Sequence, residues 1–197
     1  SAVLKCLSLA LTAAGFYYFG FLRRKKFPEK IYSNEAILFL GVLATGGSIY
    51  QFGKAIDNGS GHFSVLILIS CVIYAVIGLL FRSNLVWLFS LVSLGGWMGA
   101  ETGYASGWGA YYLGMNYPMR FVVFGGVLIA LTSILEKNAV FQFFYRTTMA
   151  MGLLYLFIAL WIMSIFGNYG DIHSWESIKQ IELFHWSLLF GLAAGAS

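Results

Sequence analysis

In "SIKQIELFHW", Glu182 and His185 stand three residues apart, which places a carboxylate and an imidazole on one face of a helix. This is half of a di-iron carboxylate site, which takes two Glu-x-x-His copies and two further glutamates from facing helices. The chain carries one copy, so a hydrogen-bonded helical histidine near a membrane surface competes with the metal reading. His62 and His185 could be recruited on geometry as axial ligands of a b-type haem, which also needs facing helices. Nothing else in the sequence supports either group, and neither a metal nor a cofactor is expected.

A second constellation lies in "SIYQFGKAID". Tyr50, Gln51, Lys54 and Asp57 descend one end of an apolar segment, and Lys54 and Asp57 are spaced to meet on one helical face. Lysine at the bilayer midplane costs about 2.5–3.5 kcal/mol on insertion scales, whereas near a helix end it can snorkel to water. The residues therefore read either as an interfacial ion pair or as a polar patch facing a substrate or ion. Gln51 is the stronger ligand candidate, because it lies a turn deeper and must find a hydrogen-bond partner.

The third is "WMGAETGYASGWGAYYLGMNYP", in which Glu101 stands among glycines and aromatics. Its tryptophans and tyrosines suit the headgroup region, where an apolar ring and a polar tip are both satisfied. Glu101 is expected just past a helix, able to pair with Arg120. The loop, drawn as 101–118, folds back over the helices, and whether it also covers a cavity stays open. Tyr50, Gln51, Glu101, Trp108 and His185 make up the candidate ligand-binding set. Catalytic motifs of the HExxH, GxSxG, Walker and dinucleotide-binding kinds are absent from the sequence.

What must position these residues is a membrane bundle. The chain of 197 residues is 59% hydrophobic and 10% charged, against about 25% charged in a soluble domain. Seven apolar segments emerge, at 2–22, 36–56, 63–81, 85–100, 119–135, 143–166 and from 183 onward. Most approach the roughly 20 residues a transmembrane helix needs. Lipid offers no partners to backbone polar groups, so the segments are helices, and their continuity excludes the alternation of barrel strands. The expectation is an all-α, polytopic transmembrane bundle forming a single domain over 1–197, with a second outer loop at 167–182. Both ends read as cut from a longer chain.

Charge orients the bundle. Arg23, Arg24, Lys25, Lys26, Lys30, Arg82, Lys137 and Arg146 fall on one side if the segments alternate, and Lys5, Lys54, Arg120 and Lys179 on the other. The richer side is cytoplasmic by the positive-inside rule. The connector from Arg23 to Lys30 then reads as a topology signal, with a lipid-headgroup or polybasic partner site as the alternative. Asp57, Glu101, Asp171, Glu176, Glu182, His62, His173, His185, Trp97, Trp108, Trp175 and Trp186 collect outside. Cys6 and Cys71 lie in apolar segments without metal-ligand spacing and read as small buried hydrophobes. Paired glycines at Gly46–Gly47, Gly95–Gly96 and Gly125–Gly126 permit close helix packing, or alternatively mark broken helices around a site.

The run "EAILFLGVLATGGSIYQFGKAIDNGSGHFSVLILISCVIYAVIGLLFRSNLVWLFSL" pairs glycines with a Gln near a helix end, a short Asp/Gly/His loop, and "LLFRS" before the next apolar run. It resembles the DUF2157 family of predicted bacterial inner-membrane proteins, over roughly residues 25–97. Members usually show Gln followed closely by an aromatic and a His, whereas here Phe52 and Gly53 follow Gln51 and His62 comes later. The resemblance implies an inner-membrane location and a helical architecture, and no reaction. The expected function is a non-enzymatic membrane component, a scaffold or subunit of a larger assembly. The alternative is a transporter or small-molecule binding protein with its site in the outer half. Expected partners are the lipid bilayer and other membrane-protein subunits, not nucleic acid.

Overall fold

The computed structural model describes residues 1–57, 59, 62–169, 177 and 180–196, the side chains of 180–184 and 186 excepted. These residues form seven α-helices: α1 (Ala2–Lys26), α2 (Ile31–Ile56), α3 (Ser64–Phe81), α4 (Asn84–Ala105), α5 (Tyr117–Lys137), α6 (Tyr145–Phe166) and α7 (Gln180–Ala196). A 3-10 turn, Gln142–Phe144, leads into α6. Five of the helical stretches, α1, α2, α3, α5 and the Gln142–Phe166 run, are long and apolar enough to cross a membrane. Leu11 and Leu80 are 75% and 76% exposed, as are many other large apolar side chains in part. Such surfaces suit lipid and not water. The chain has the architecture of a multi-pass membrane protein, all-α as its sequence requires.

The helices cluster into two compact units, Ser1–Trp97 and Met98–Ser197. In the first, α1 lies along α2, and the seam is built from small residues. Gly41 sits beneath the Tyr17 ring, where an added Cβ would fall 2.5 Å from Cε1. Tyr17 Oη meets Thr45 Oγ1 at 2.9 Å, and Ser48 Oγ donates to the Cys6 carbonyl at 2.9 Å. Lipid tails are as apolar as leucine, so close packing and interhelical hydrogen bonds of this kind are what hold membrane helices together. The core of the unit gathers Leu38, Val42, Tyr74 and Val86, with Phe89 packed against it.

The turn from α3 to α4 closes by a nested pair of backbone bonds. Ser83 N donates to Gly78 O at 3.0 Å and Arg82 N to Leu79 O at 3.3 Å, with Arg82 left-handed at φ 46°. This is the Schellman arrangement, here with arginine where glycine is usual. Ser83 then caps α4 by accepting from Val86 N at 3.2 Å.

In the second unit α5 and α6 make a closer seam still. A Cβ on Gly125 would fall 2.8 Å from Leu156 N and 2.9 Å from Gly152 O, both backbone atoms. The glycines serve packing at this contact. Phe121, Phe124 and Tyr155 interlock beside it, with ring centroids 5.3–6.2 Å apart. Farther along, Leu160 and Met163 of α6 meet Phe190 and Ala194 of α7.

Helix ends differ from those expected. α1 runs through "RRKK" to Lys26, and α2 starts at Ile31, because those residues complete their helices' hydrogen bonding outside the apolar core. α4 continues to Ala105, which puts Glu101 on the helix and not in the loop. It stops where Gly107 turns left-handed at φ 61° and Trp108 N reaches back to Gly103 O at 2.7 Å.

Candidate functional site

Two adjacent chambers, each a groove open along one side, lie between α2 and α3 in the first unit, and Tyr50 and Phe63 on their walls are exposed. One, of about 450 Å³, has Lys54, Asp57 and His62 on its wall together with Phe52, Ile56 and Val65. The other, of about 390 Å³, is lined by Gly46, Ile49, Ile67, Ser70, Tyr74 and Ser93. Tyr50, Phe63 and Leu66 belong to both and form their common wall. Local sequence explains the space. Tyr74 Oη donates to Val42 O at 3.2 Å and pins α3 to α2 at depth. Nearer the helix ends, Gly53 admits the tip of Leu66, whose Cδ1 would lie 2.4 Å from an added Cβ. Between those contacts the helices part.

The polar groups follow the same gradient. In the inner chamber the Ser70 hydroxyl is returned to Leu66 O at 3.0 Å, so that wall behaves as nearly apolar. At the outer chamber the Lys54 ammonium lies 4.9 Å from the Tyr50 ring centroid, held by the ring's negative face. The expected Lys54–Asp57 pair does not form. Asp57 lies beyond the last turn with an extended backbone (ψ 119°), and its Oδ1 accepts from Gly59 N at 2.9 Å. Lys54 therefore has no carboxylate partner among the described residues where it lines the outer chamber.

Of the candidate set, Tyr50 lines both chambers, while Gln51 is half-buried on α2 and lines neither. Glu101, Trp108 and His185 belong to the second unit. Glu101 is half-buried on α4, and Trp108 and His185 are exposed. The pairing of Glu101 with Arg120 is replaced by a different arrangement. Arg120, 3% exposed, donates to Met115 O at 3.1 Å, Ala110 O at 3.2 Å and Thr102 Oγ1 at 3.3 Å. Its guanidinium lies 4.2 Å from the Tyr117 ring and 5.6 Å from that of Tyr112. Because α4 runs on past Glu101, it is Thr102 that the arginine meets.

The connecting loop is a built clamp. Tyr112 and Met115 exchange two backbone bonds of 3.0 Å around Leu113 and Gly114, both at positive φ. That is the geometry of a primed two-residue hairpin. Asn116 caps α5 through Met119 N at 3.1 Å, and its amide reaches Gly167 O at 3.0 Å and Tyr169 O at 3.2 Å. Asn168 answers by accepting from Asn116 N and donating to Gly114 O, each at 3.0 Å. The loop's polar groups are spent on joining the start of α5 to the end of α6.

Sequence reasoning passed over Glu35, which ties the α1–α2 elbow to the α3–α4 turn. Its carboxylate takes the Arg24 guanidinium on one oxygen and the Ser83 hydroxyl on the other, and Arg24 also donates to Phe81 O. The signal was a lone acid opening an apolar helix beside a basic run. Among the described residues no three His, Cys, Asp or Glu side chains converge as a metal-ligand group. Asp171, His173, Trp175, Glu176 and Lys179 lie outside the described residues, as do the Glu182 and Trp186 side chains. No family model matches the chain, and no curated protein or solved structure matches it significantly.

Proposed function

We propose that this is a non-enzymatic component of the bacterial inner membrane that binds a small amphiphile between α2 and α3. The observation that supports it most is the pair of chambers sharing the Tyr50, Phe63 and Leu66 wall, one apolar and one edged by Lys54, Asp57 and His62. Pockets of several hundred Å³, mostly apolar with a few convergent polar groups, are the usual form of a small-molecule site. A hydrocarbon tail fits the inner chamber and an anionic head fits beside Lys54, once the Leu66 side chain swings aside. The basic connector from Arg23 to Lys30 is cytoplasmic in this reading, which puts the chamber mouth on the outer face. A relation to DUF2157 accords with that location.

The test uses a dansyl-labelled C12 carboxylate and the full chain in detergent. Saturable binding with a blue-shifted emission is expected. Ser70→Phe should abolish it by filling the inner chamber, and Lys54→Glu should weaken it by repelling the head, with helical content unchanged in both. Non-saturable uptake that is identical in all three proteins refutes the reading.

A second reading, a scaffold or subunit of a larger assembly, has one observation in its favour. At Gly15 of α1 and Gly126 of α5 an added Cβ would meet nothing within 4 Å, so another helix could approach closely at these small residues.

A further inference from the structure

We propose that the elbow between α1 and α2 binds the headgroup of an anionic phospholipid, through Arg23, Lys26 and Lys30 gathered about Phe27. The ligand is a phosphodiester that also carries a hydroxyl donor, as phosphatidylglycerol does.

The chain's geometry makes the cluster. Arg23, Lys26 and Phe27 are spaced to share one face at the end of α1. Phe27 N closes that helix on Arg23 O at 2.7 Å, and Lys30 N returns to Phe27 O at 3.3 Å before α2 begins. The tight elbow thus brings a cation from the far side back to the same ring. Lys30 Nζ lies 5.1 Å from the Phe27 centroid, Lys26 Nζ 5.4 Å and Arg23 Cζ 6.0 Å.

Topology signalling requires positive charge near a helix end, but it does not require convergence. Three like charges around one ring repel one another, and one ring face does not neutralise three. Of the two acids in the neighbourhood, Glu35 is already committed to Arg24 and Ser83, while Glu29, in the elbow itself, is exposed and pairs with none of the three cations. Arg24 is therefore structural, and the other three cations have no carboxylate partner among the described residues.

Two orphaned polar atoms at the same elbow point independently to a ligand. Asn34 is 2% exposed, and its amide nitrogen is held by Phe27 O at 3.0 Å, yet its Oδ1 has no partner. The Arg23 guanidinium gives one N–H to Ser33 Oγ at 2.8 Å, while its buried Nε has no acceptor. A buried donor and a buried acceptor left unmade are each costly. A headgroup supplies both: a phosphate oxygen for Arg23 Nε and a glycerol hydroxyl for Asn34 Oδ1.

The experiment is native mass spectrometry of the full chain titrated with dioleoylphosphatidylglycerol or dioleoylphosphatidylcholine in mixed micelles. The variant Lys26→Gln/Lys30→Gln changes two exposed side chains and leaves the Arg24–Glu35 tie intact. A control of equal charge loss is Lys5→Gln/Lys137→Gln. Wild type and control should hold phosphatidylglycerol in preference to phosphatidylcholine. The variant should bind it roughly 30-fold more weakly, at about 1 kcal/mol per cation near an anionic surface. Asn34→Asp adds a negative charge at the acceptor and should lower the preference for phosphatidylglycerol further. Equal losses in variant and control, or no preference between the lipids, overturn the proposal. Displacement of the lipid by millimolar inorganic phosphate also overturns it, in favour of a site for soluble phosphate.

Discussion

Gly125 and Gly126 are neighbours in sequence and opposites in environment, and alanine should leave the protein less stable at Gly125 than at Gly126. On Gly125 a Cβ would meet Leu156 N at 2.8 Å and Gly152 O at 2.9 Å, and neither backbone atom can rotate away. Carbon contacts are comfortable at about 3.5–4.0 Å, so α5 and α6 must part by several tenths of an ångström or more. A radial gap of about 0.5–1 Å forfeits a quarter to a half of each dispersion well along the seam. Overpacking of this kind costs roughly 1–3 kcal/mol, offset by about 0.5–1 kcal/mol from alanine's better helix propensity. On Gly126 nothing lies within 4 Å, so only the propensity gain remains. The two variants should therefore differ by about 1–3 kcal/mol, or roughly 5- to 150-fold in folded-to-unfolded ratio. Reversible unfolding in mixed micelles by SDS titration, followed by tryptophan fluorescence, measures the difference. Equal effects of alanine at the two positions would refute the close-packed seam.

Arg120→Ala should cost about 3 kcal/mol or more, since three charge-assisted bonds and two ring contacts vanish together and the Met115 and Ala110 carbonyls lose their donor. Limited proteolysis would then cut near Tyr111 and Tyr112, and Arg120→Lys should restore little of the protection because it lacks the fork. Glu35→Ala should destabilise the first unit by about 1–2 kcal/mol in the same SDS titration, the pair being 25% and 21% exposed and so partly screened. Ser83→Ala should lose about 1 kcal/mol there, through the α4 cap and the carboxylate contact. Orientation is checked in intact cells with a membrane-impermeant maleimide: Asp57→Cys is expected to label and Lys26→Cys to label only after permeabilisation. The reverse pattern would invert the topology.

The helical, membrane-spanning character of the chain was determined by composition alone. Apolar runs about as long as a bilayer is thick have one way to satisfy their backbone in lipid, and local sequence is sufficient to specify it. The cap of α5 was also legible, in "NYP", where Asn116 precedes a proline in the first turn. Tyr50 was selected from its neighbourhood and does line the chambers. What only the tertiary structure decided is which polar groups meet. Lys54 was near enough in sequence to Asp57 and Arg120 to Glu101, but the helix end at Asp57 and the extension of α4 redirected both. Glu35 finds Ser83 and Arg24 across a separation of 48 and 11 residues. Nothing in a 3.6-residue repeat encodes such contacts, because they depend on where one helix stops and how closely the next approaches. Gly125 and Gly126 make the same point: two identical residues in one helix, of which a single face is chosen by its neighbour.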